Sequence, residues 1–420
     1  MKILLQQPLI LDKRSSFHRK KKNVLIQNGK IAEIGDKQFA ADRTLDASHM
    51  ILSPGWLDLG TATGDPGQEH REDLDSVSKA AAAGGFTELA LLPNTNPSIQ
   101  SKNDIAYITR NNESRLVQLH AIASVTKNNK GEEMTEMIDL HTGGAVAFSD
   151  GLHSLHNTDI FLKTLQYLRK FDGLLIDHAH DHWLDLFGQM NEGPVSAMLG
   201  LKGRPELSEE IAVSRNIKLL GYSESRLHLF HVSSPRAVEL VRTAIKKGVK
   251  ISCDITGYQA LLDDRVVSDF ETNFKVFPPL RDASANDKLI KGLKDGTISV
   301  ITSGHLPQDD ESKIVAFDHA EPGMINLQTF ASQLVSLAQE IPWEDLLEKV
   351  TVNPRALLNI ELPVIEAGAR ANLTLLNPEH EWIFTEQLNY SKSKNSPWLN
   401  HKLKGSVAAV FNNSKHWSHG

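Results

Sequence analysis

The chain has 420 residues, of which 40% are hydrophobic, and a formal net charge of -7. This length is enough for one large hydrophobic core plus a smaller domain, and the negative charge argues against a general nucleic-acid binder. No stretch approaches the roughly 18 apolar residues that span a bilayer, and the N-terminus lacks a signal peptide, so we expect a cytoplasmic protein without a membrane segment. The single cysteine, Cys253, excludes an internal disulfide and is expected to be a buried, inert thiol.

Both ends of the chain show patterns typical of β structure. Near the N-terminus, Asn28-Gly29 lies between two alternating apolar runs within residues 23–35, which predicts a hairpin with a tight two-residue turn. Strand-like runs separated by turns return at 367–377 and 403–411. The sequence therefore predicts β structure before and after the central part of the chain.

Between these ends, strand-like and helix-like segments alternate, as in a parallel sheet with crossover helices. Eight such units in about 300 residues predict a (β/α)8 barrel, whose functional residues lie at the C-terminal ends of the strands. The predicted strands are 56–59, 88–92, 118–124, 145–149, 173–177, 227–230, 249–255 and 298–302, with helices at, for example, 73–83, 159–170, 235–247 and 287–294.

Several segments around the first two predicted strands closely resemble the dihydroorotases of the amidohydrolase superfamily. They are Pro54-Gly-Trp-Leu-Asp-Leu59, Asp65-Pro-Gly-Gln-Glu-His-Arg-Glu-Asp73, Ala80-Ala-Ala-Ala-Gly-Gly-Phe-Thr87 and Leu92-Pro-Asn-Thr-Asn-Pro97. The resemblance covers almost the whole chain. It implies an amidohydrolase TIM-type barrel over residues 52–359 and a small β-sandwich domain formed by residues 1–51 and 360–420, so the two termini should meet.

The positions that carry chemistry in that family are replaced here. The family motif reads D-L-H-x-H-x-R, whereas this chain has Gly60 and Ala62 at the two metal-binding histidines and Gly64 at the substrate-binding arginine. After the eighth predicted strand, Gly304 occupies the position of the catalytic aspartate, which binds metal and shuttles a proton. The resemblance therefore implies that no catalytic residue is intact.

Three metal positions of the family are retained, at Asp150, His178 and His231 after the fourth, fifth and sixth predicted strands. Two histidines and one carboxylate would be an acceptable site for a single zinc ion with an open position for water. Two plainer interpretations stand beside this one. Asp150 also fits an ordinary Asp-Gly turn, and the histidines fit packing or hydrogen bonding at the barrel mouth, which we favour because half of the family's site is missing.

Substrate recognition is reduced in parallel. The family holds the substrate carboxylate with an arginine, an asparagine and a histidine, because a small anion that leaves water needs charge-assisted hydrogen bonds. Only the asparagine survives, as Asn94, and it is equally explained as a turn former. The other family positions carry Gly64, Gln308, Phe277, Gly257-Tyr-Gln259 and Gln328.

These features together predict a dihydroorotase-like protein linked to de novo pyrimidine biosynthesis that is catalytically degenerate and acts as a structural or regulatory partner. Inactive proteins of this family are known as structural partners of aspartate transcarbamoylase, so the resemblance implies that partner, and it is also compatible with a homodimer. One alternative is an active, metal-dependent cyclic amide hydrolase of the dihydroorotase or hydantoinase type with a single metal. Another is a sensor that binds a small cyclic amide or carbamoyl amino acid at the barrel mouth.

Overall fold

The computed structural model describes residues 1–419. Its central element is an eight-stranded parallel sheet in which the strands lie side by side in chain order, as predicted for the barrel. The strands are β1 Lys2–Gln6, β2 Leu9–Ile10, β3 Asn23–Gln27, β4 Lys30–Gly35, β5 Arg43–Asp46, β6 Ile51–Pro54, β7 Trp56–Thr61, β8 Phe86–Leu91, β9 Gln118–Ala123, β10 Ala147–Phe148, β11 Leu174–Asp177, β12 Met190–Asn191, β13 Gly203–Arg204, β14 Arg226–Leu229, β15 Ile251–Thr256, β16 Val300–Thr302, β17 Leu373–Ile383, β18 Lys402–Asn412 and β19 Lys415–Ser418.

Helices follow most of the barrel strands. They are α1 Leu74–Gly84, α2 Lys102–Thr109, α3 Met137–Thr142, α4 Thr158–Leu168, α5 His182–Asp185, α6 Pro194–Leu199, α7 Glu206–Ser223, α8 Pro235–Lys246, α9 Ala283–Lys294, α10 Asp310–Lys313, α11 Phe330–Leu337, α12 Trp343–Val350 and α13 Val352–Leu358. Within residues 1–419, no helix is both long and apolar enough to cross a membrane.

All eight predicted barrel strands are present, with shifted bounds. The fourth predicted strand shrinks from 145–149 to the two residues of β10. The helix predicted at 287–294 begins earlier, at Ala283, because Asp282 caps it by accepting the amide of Ala285.

The first and last barrel strands, β7 and β16, are joined by side-chain contacts, since the buried Asp58 accepts hydrogen bonds from the Ser303 amide at 2.7 Å and hydroxyl at 2.6 Å. In β15, Cys253 is fully buried and burial raises the pKa of its thiol, as expected for an inert cysteine.

The two ends of the chain form two further sheets beside the barrel. The predicted turn is present, since Asn28 and Gly29 both have positive φ (52° and 73°) between β3 and β4. Strand β6 pairs antiparallel with β17, which pairs with β18, so segments from both termini share one sheet. Its partner sheet has the order β4-β3-β1-β5, and the apolar residues of both ends pack into one cluster. This confirms the β-sandwich; the proposed boundaries 1–51, 52–359 and 360–420 stay a prediction.

A buried polar network at the base of the barrel connects it to the β-sandwich. Arg355 in α13 is fully buried and donates from Nη2 to Glu88 Oε1 in β8 at 2.8 Å. Asn372, just before β17, donates to the same oxygen at 2.9 Å, and His120 contacts the other carboxylate oxygen at 2.8 Å. Burial alone would raise the pKa of Glu88, but Arg355 and His120 outweigh it and lower that pKa to about 2. Glu88 is therefore a fully partnered anion.

We expect the substitution Arg355→Met, which keeps the volume and removes the charge, to lower the free energy of unfolding by about 3–5 kcal/mol, because it leaves the Glu88 carboxylate buried without its cation. Since Glu88 has a depressed pKa in the folded protein, its contribution is complete above its ordinary pKa of 4.5 and is lost as the pH falls towards 2. The difference between the two proteins should therefore be largest at neutral pH. Urea unfolding at pH 7 and pH 3 measures it.

The matched control is Lys294→Met, which removes an ion pair with Glu340 between side chains that are 44% and 57% exposed. Such exposed pairs contribute about 0–1 kcal/mol, so this variant should remain close to the wild type. Equal losses in the two variants would contradict a special role for the Arg355–Glu88 pair.

Candidate functional site

Two of the three predicted metal ligands come together at the C-terminal ends of the strands. His178 follows β11 directly and His231 lies two residues beyond β14, and their rings are perpendicular with centroids 6.1 Å apart. Both side chains are at least 95% buried, and within residues 1–419 neither Nε2 atom has a hydrogen-bond partner. Burial lowers the pKa of His178 to about 4 and lowers that of His231 well below its ordinary value. Both imidazoles are therefore neutral near pH 7.

The third predicted ligand, Asp150, is engaged elsewhere. Its carboxylate accepts hydrogen bonds from the amide of Thr126, at 2.8 Å, and from the Thr126 hydroxyl. Gly151 has φ +63° and the Asp150 carbonyl accepts the His153 amide, so the segment is a turn, as the plainer interpretation has it. Burial raises the pKa of Asp150 to about 6 despite the Thr126 hydrogen bonds. Asp150 thus fixes the loop after β9.

The donor set required for zinc is therefore not assembled. Within residues 1–419, no group of three His, Cys, Asp or Glu side chains is placed to hold a metal ion. Structural and catalytic zinc sites use at least three protein ligands, so the two retained histidines fall short of the set predicted from Asp150, His178 and His231. The residues present do not fit the metal centre of the family.

An aromatic ring fills the space beside β7, the first strand of the barrel. Gly60 has φ +91°, and a Cβ atom at this position would lie under 3.0 Å from the ring of Phe230. Phe230 is 1% exposed, stacks on His231 with ring centroids 3.6 Å apart, and belongs to the same apolar cluster as Ala62. Sequence reasoning missed this role, although the motif His228-Leu-Phe-His231 carries a large ring where the family has a cysteine.

The position of the missing aspartate is closed in a similar way. Gly304 has φ +63°, and a Cβ atom there would lie 2.7 Å from Thr256 Cγ2 and 2.8 Å from the Tyr258 hydroxyl. Tyr258 is 3% exposed, and burial raises the pKa of its phenol. Tyr258 belongs to the Gly257-Tyr-Gln259 segment that differs from the family, so its identity was visible in the sequence but its contact with Gly304 was not.

Residues at the substrate positions are used for local structure. Asn94 donates from Nδ2 to the Asp150 carbonyl and accepts the Leu152 amide, both at 3.1 Å, so its amide group holds a turn. Gly64 lies in a backbone turn whose carbonyl accepts the Gln68 amide at 2.6 Å. The Gln308 side chain donates to the Pro322 carbonyl at 3.0 Å. Of the three family groups that would bind a carboxylate, two are replaced by Gly64 and Gln308, and the third, Asn94, holds a turn.

Two further replaced positions pack against neighbouring groups. The Phe277 ring meets His178 edge-on with centroids 4.8 Å apart, and the Arg204 guanidinium lies 4.5 Å from the Phe277 centroid. The Gln328 side chain donates to the Leu388 carbonyl at 2.9 Å and accepts the Tyr390 amide at 2.7 Å. The first contacts place an aromatic ring and a cation beside His178, and the Gln328 hydrogen bonds attach the segment before β18.

The titratable groups that follow Gly304 in the sequence, His305 and Asp309, are also engaged. His305 contacts Glu72 through Nε2 at 3.4 Å and accepts the Asn326 amide on Nδ1 at 3.1 Å. Asp309 caps α10 and accepts from Arg71 Nε at 2.8 Å. Neither side chain points a free acid or base toward His178 and His231. The mouth therefore holds the neutral imidazoles of His178 and His231. His180, whose ring centroid is 5.2 Å from that of His178, also lies there, edge-on to Phe277.

Comparison with known proteins gives consistent relationships. The family model for dihydro-orotase-like proteins matches residues 49–237. The dihydroorotase of Syntrophus aciditrophicus is 36% identical over 413 residues, and that of Geobacter metallireducens 35%, each alignment covering 97% of both chains. The L-hydantoinase (dihydropyrimidinase) of Arthrobacter aurescens has the same fold, with a TM-score of 0.86 at 21% identity over 99% of this chain and 96% of that one. Because the identity extends along nearly its whole length, the chain belongs to the dihydroorotase family of cyclic amide hydrolases within the amidohydrolase superfamily.

Proposed function

We propose that this chain is a catalytically degenerate member of the dihydroorotase family, linked to pyrimidine biosynthesis, that acts as a structural or regulatory partner. One observation carries the proposal: Phe230 and Tyr258 occupy the space that side chains at Gly60 and Gly304 would need. The replaced positions are thus complemented by bulky neighbours. A barrel mouth that had merely lost its ligands would be open, whereas this one is packed.

The catalytic groups replaced in this chain contribute much of the transition-state stabilisation in such reactions. Removing a positioned general acid or base costs about 100-fold to 10,000-fold in rate. Without a metal to polarise the carbonyl and activate water, several more kcal/mol of transition-state stabilisation are lost, as expected for Lewis-acid catalysis. Within residues 1–419, the side chains of His178 and His231 have no carboxylate hydrogen-bonded to them, so they lack the partner that orients a catalytic imidazole.

Ligand recognition is equally weak. A dihydroorotate or carbamoyl amino acid carries carboxylate groups whose burial requires charge-assisted hydrogen bonds. At the family's positions for those bonds this chain has Gly64, Gln308 and an Asn94 whose amide already holds a turn. This supports a role that does not depend on binding the family's substrate.

The alternative is a mononuclear hydrolase, and one feature favours it: the unpartnered, buried Nε2 atoms of His178 and His231. Each could ligate a metal without first breaking a hydrogen bond. Such a site would need Asp150 to exchange Thr126 for the metal, or water to complete the coordination. Zinc content and dihydroorotate turnover, measured on the same protein, separate the hydrolase from the non-catalytic partner.

Protein purified without chelator and then offered zinc at neutral pH should retain less than about 0.1 atom per chain, because no three ligands in residues 1–419 are placed to hold a metal ion. It should also hydrolyse dihydroorotate no faster than the buffer. Elemental mass spectrometry and an absorbance assay check these outcomes, with a fully equipped dihydroorotase of the family as positive control. One zinc atom per chain, lost together with turnover in His178→Ala/His231→Ala, would establish the hydrolase instead.

The packing of Phe230 against Gly60 is testable with a matched pair of glycines. Gly60→Ala and Gly296→Ala both place an alanine at positive φ (91° and 80°), but a Cβ atom at Gly296 meets nothing within 4 Å. Gly296→Ala should cost about 1–2 kcal/mol of unfolding free energy through backbone strain alone. Gly60→Ala should cost a further 1–3 kcal/mol, roughly, from overpacking against Phe230.

A double-mutant cycle completes this test. Adding Phe230→Leu to Gly60→Ala should recover part of the loss, because a smaller side chain makes room for the new Cβ atom. Urea unfolding of the four proteins measures the coupling. Equal stability of Gly60→Ala and Gly296→Ala would show that Phe230 does not close the position of the missing histidine.

For the partner role, we expect the chain to form a complex with the aspartate transcarbamoylase of the same organism. Mixed at micromolar concentration, the two proteins should elute together in size-exclusion chromatography with light scattering, at a mass above that of either protein alone. The chain run by itself also reports whether it is a homodimer. Elution profiles that stay unchanged on mixing would refute this partner.

A further inference from the structure

A groove of about 710 Å³ lies beside the barrel mouth, between the loop after β15, helix α10 and the segment before β18. Its position differs from that of the family's site, because none of the residues at replaced or retained ligand positions lines it. Its lining includes the apolar residues Phe270, Ile314 and Val315 and the acidic residues Asp269, Glu271 and Asp310.

The groove exposes large apolar side chains. Ile314 is 80% exposed, Phe270 46% and Val315 41%. Phe270 also has φ +57°, a left-handed conformation that is strained for a non-glycine residue. An exposed aromatic residue in a strained conformation, next to two exposed aliphatic residues, is typical of a surface that binds another molecule.

The rim of the groove is negative. Within residues 1–419, Asp269, Glu271 and Asp310 form no ion pair, and all three are exposed. Two lysines offset this charge only in part, because four carboxylates line the groove; the Glu271 charge favours the charged form of Lys313, and the Asp310 charge that of Lys394. Lys394 pairs with Glu386 at 2.8 Å, and the Nζ atom of Lys313 is turned inward to the carbonyl groups of Glu321 and Gly323 at 2.9 and 3.1 Å.

We propose that this groove binds a basic segment of a partner protein that also carries apolar anchor side chains. The inference deepens the proposed function, on which it rests, by naming the surface through which a non-catalytic protein would act. The apolar floor would bury the anchors, and the exposed carboxylates of Asp269, Glu271 and Asp310 would pair with lysine or arginine across the rim.

A second copy of the chain is a poorer occupant. Its most basic run, Arg19–Lys22, is already engaged: Arg19 pairs with Glu344, Lys22 with Asp36 at 2.6 Å, and Lys21 donates to the Ser48 carbonyl at 2.8 Å. Docking this run into the groove would require breaking those contacts. A separate partner supplies the positive charge without that cost.

The test uses a fluorescent amphipathic peptide of alternating lysine and leucine blocks, and a matched peptide with glutamate in place of lysine. Fluorescence anisotropy on the full chain should detect the basic peptide only, with affinity falling as salt rises, since the rim charges are exposed. Ile314→Ser and Asp269→Lys should each weaken binding by about 10-fold or more. Ile138→Ser, which changes a residue 43% exposed in α3, is the matched control and should bind normally.

Equal binding of both peptides, or equal binding by Ile314→Ser and Ile138→Ser, would overturn the proposal. Self-association that Ile314→Ser abolishes would overturn it in favour of a second copy. The proposed function is judged separately. If the transcarbamoylase complex forms equally well with Ile314→Ser, the groove is not the docking surface but the partner role stands. If the basic peptide binds while zinc-dependent hydrolysis is found, the groove is a binding surface but the proposed non-catalytic function is wrong.

Discussion

The fold depends on one buried ion pair, between Arg355 and Glu88. Arg355 comes from the last barrel helix and Glu88 from the second barrel strand, 267 residues apart, and Asn372 of the β-sandwich donates to the same carboxylate oxygen. A charge removed from water is costly unless it is fully partnered, so this arrangement holds only when barrel and β-sandwich are positioned together. The network therefore fixes the geometry of both parts, and with it the framework that carries the barrel mouth.

The base and the mouth of the barrel differ in how their buried positions are filled. At the base, each carboxylate oxygen of Glu88 is matched by donors. At the mouth, two positions that hold ligands in the family, Gly60 and Gly304, are glycines, and Phe230 and Tyr258 occupy the space that side chains there would need. Close packing explains why this filling matters, because a void of that size would destabilise the barrel. The replaced ligand positions and the retained scaffold are thus accommodated by the same packing.

The sequence predicted the features that depend on local pattern. The eight strands follow from alternation, and the Asn28-Gly29 turn from the conformational freedom of those residues. It did not predict the shortening of β10 to two residues or the engagement of Asp150 by Thr126, since both depend on contacts with β9 and its loop. The contact of Phe230 with Gly60 was also out of reach, because it joins residues 170 positions apart by shape alone.

The loops after β15 and β16 and the segment before β18 surround the mouth and also build the groove beside it. Side-chain hydrogen bonds hold these segments together. Lys275 Nζ donates to the Gln189 side chain at 2.5 Å and to the Phe317 carbonyl at 2.7 Å, which connects three loops through one ammonium group. Asn395 donates to the Leu306 carbonyl and accepts the Gln308 amide. These bonds fix the segment before β18 against the loop that follows β16. Loops held in this way are poorly suited to opening for a substrate. They suit a preformed docking surface, because a rigid surface loses little conformational entropy when a partner binds.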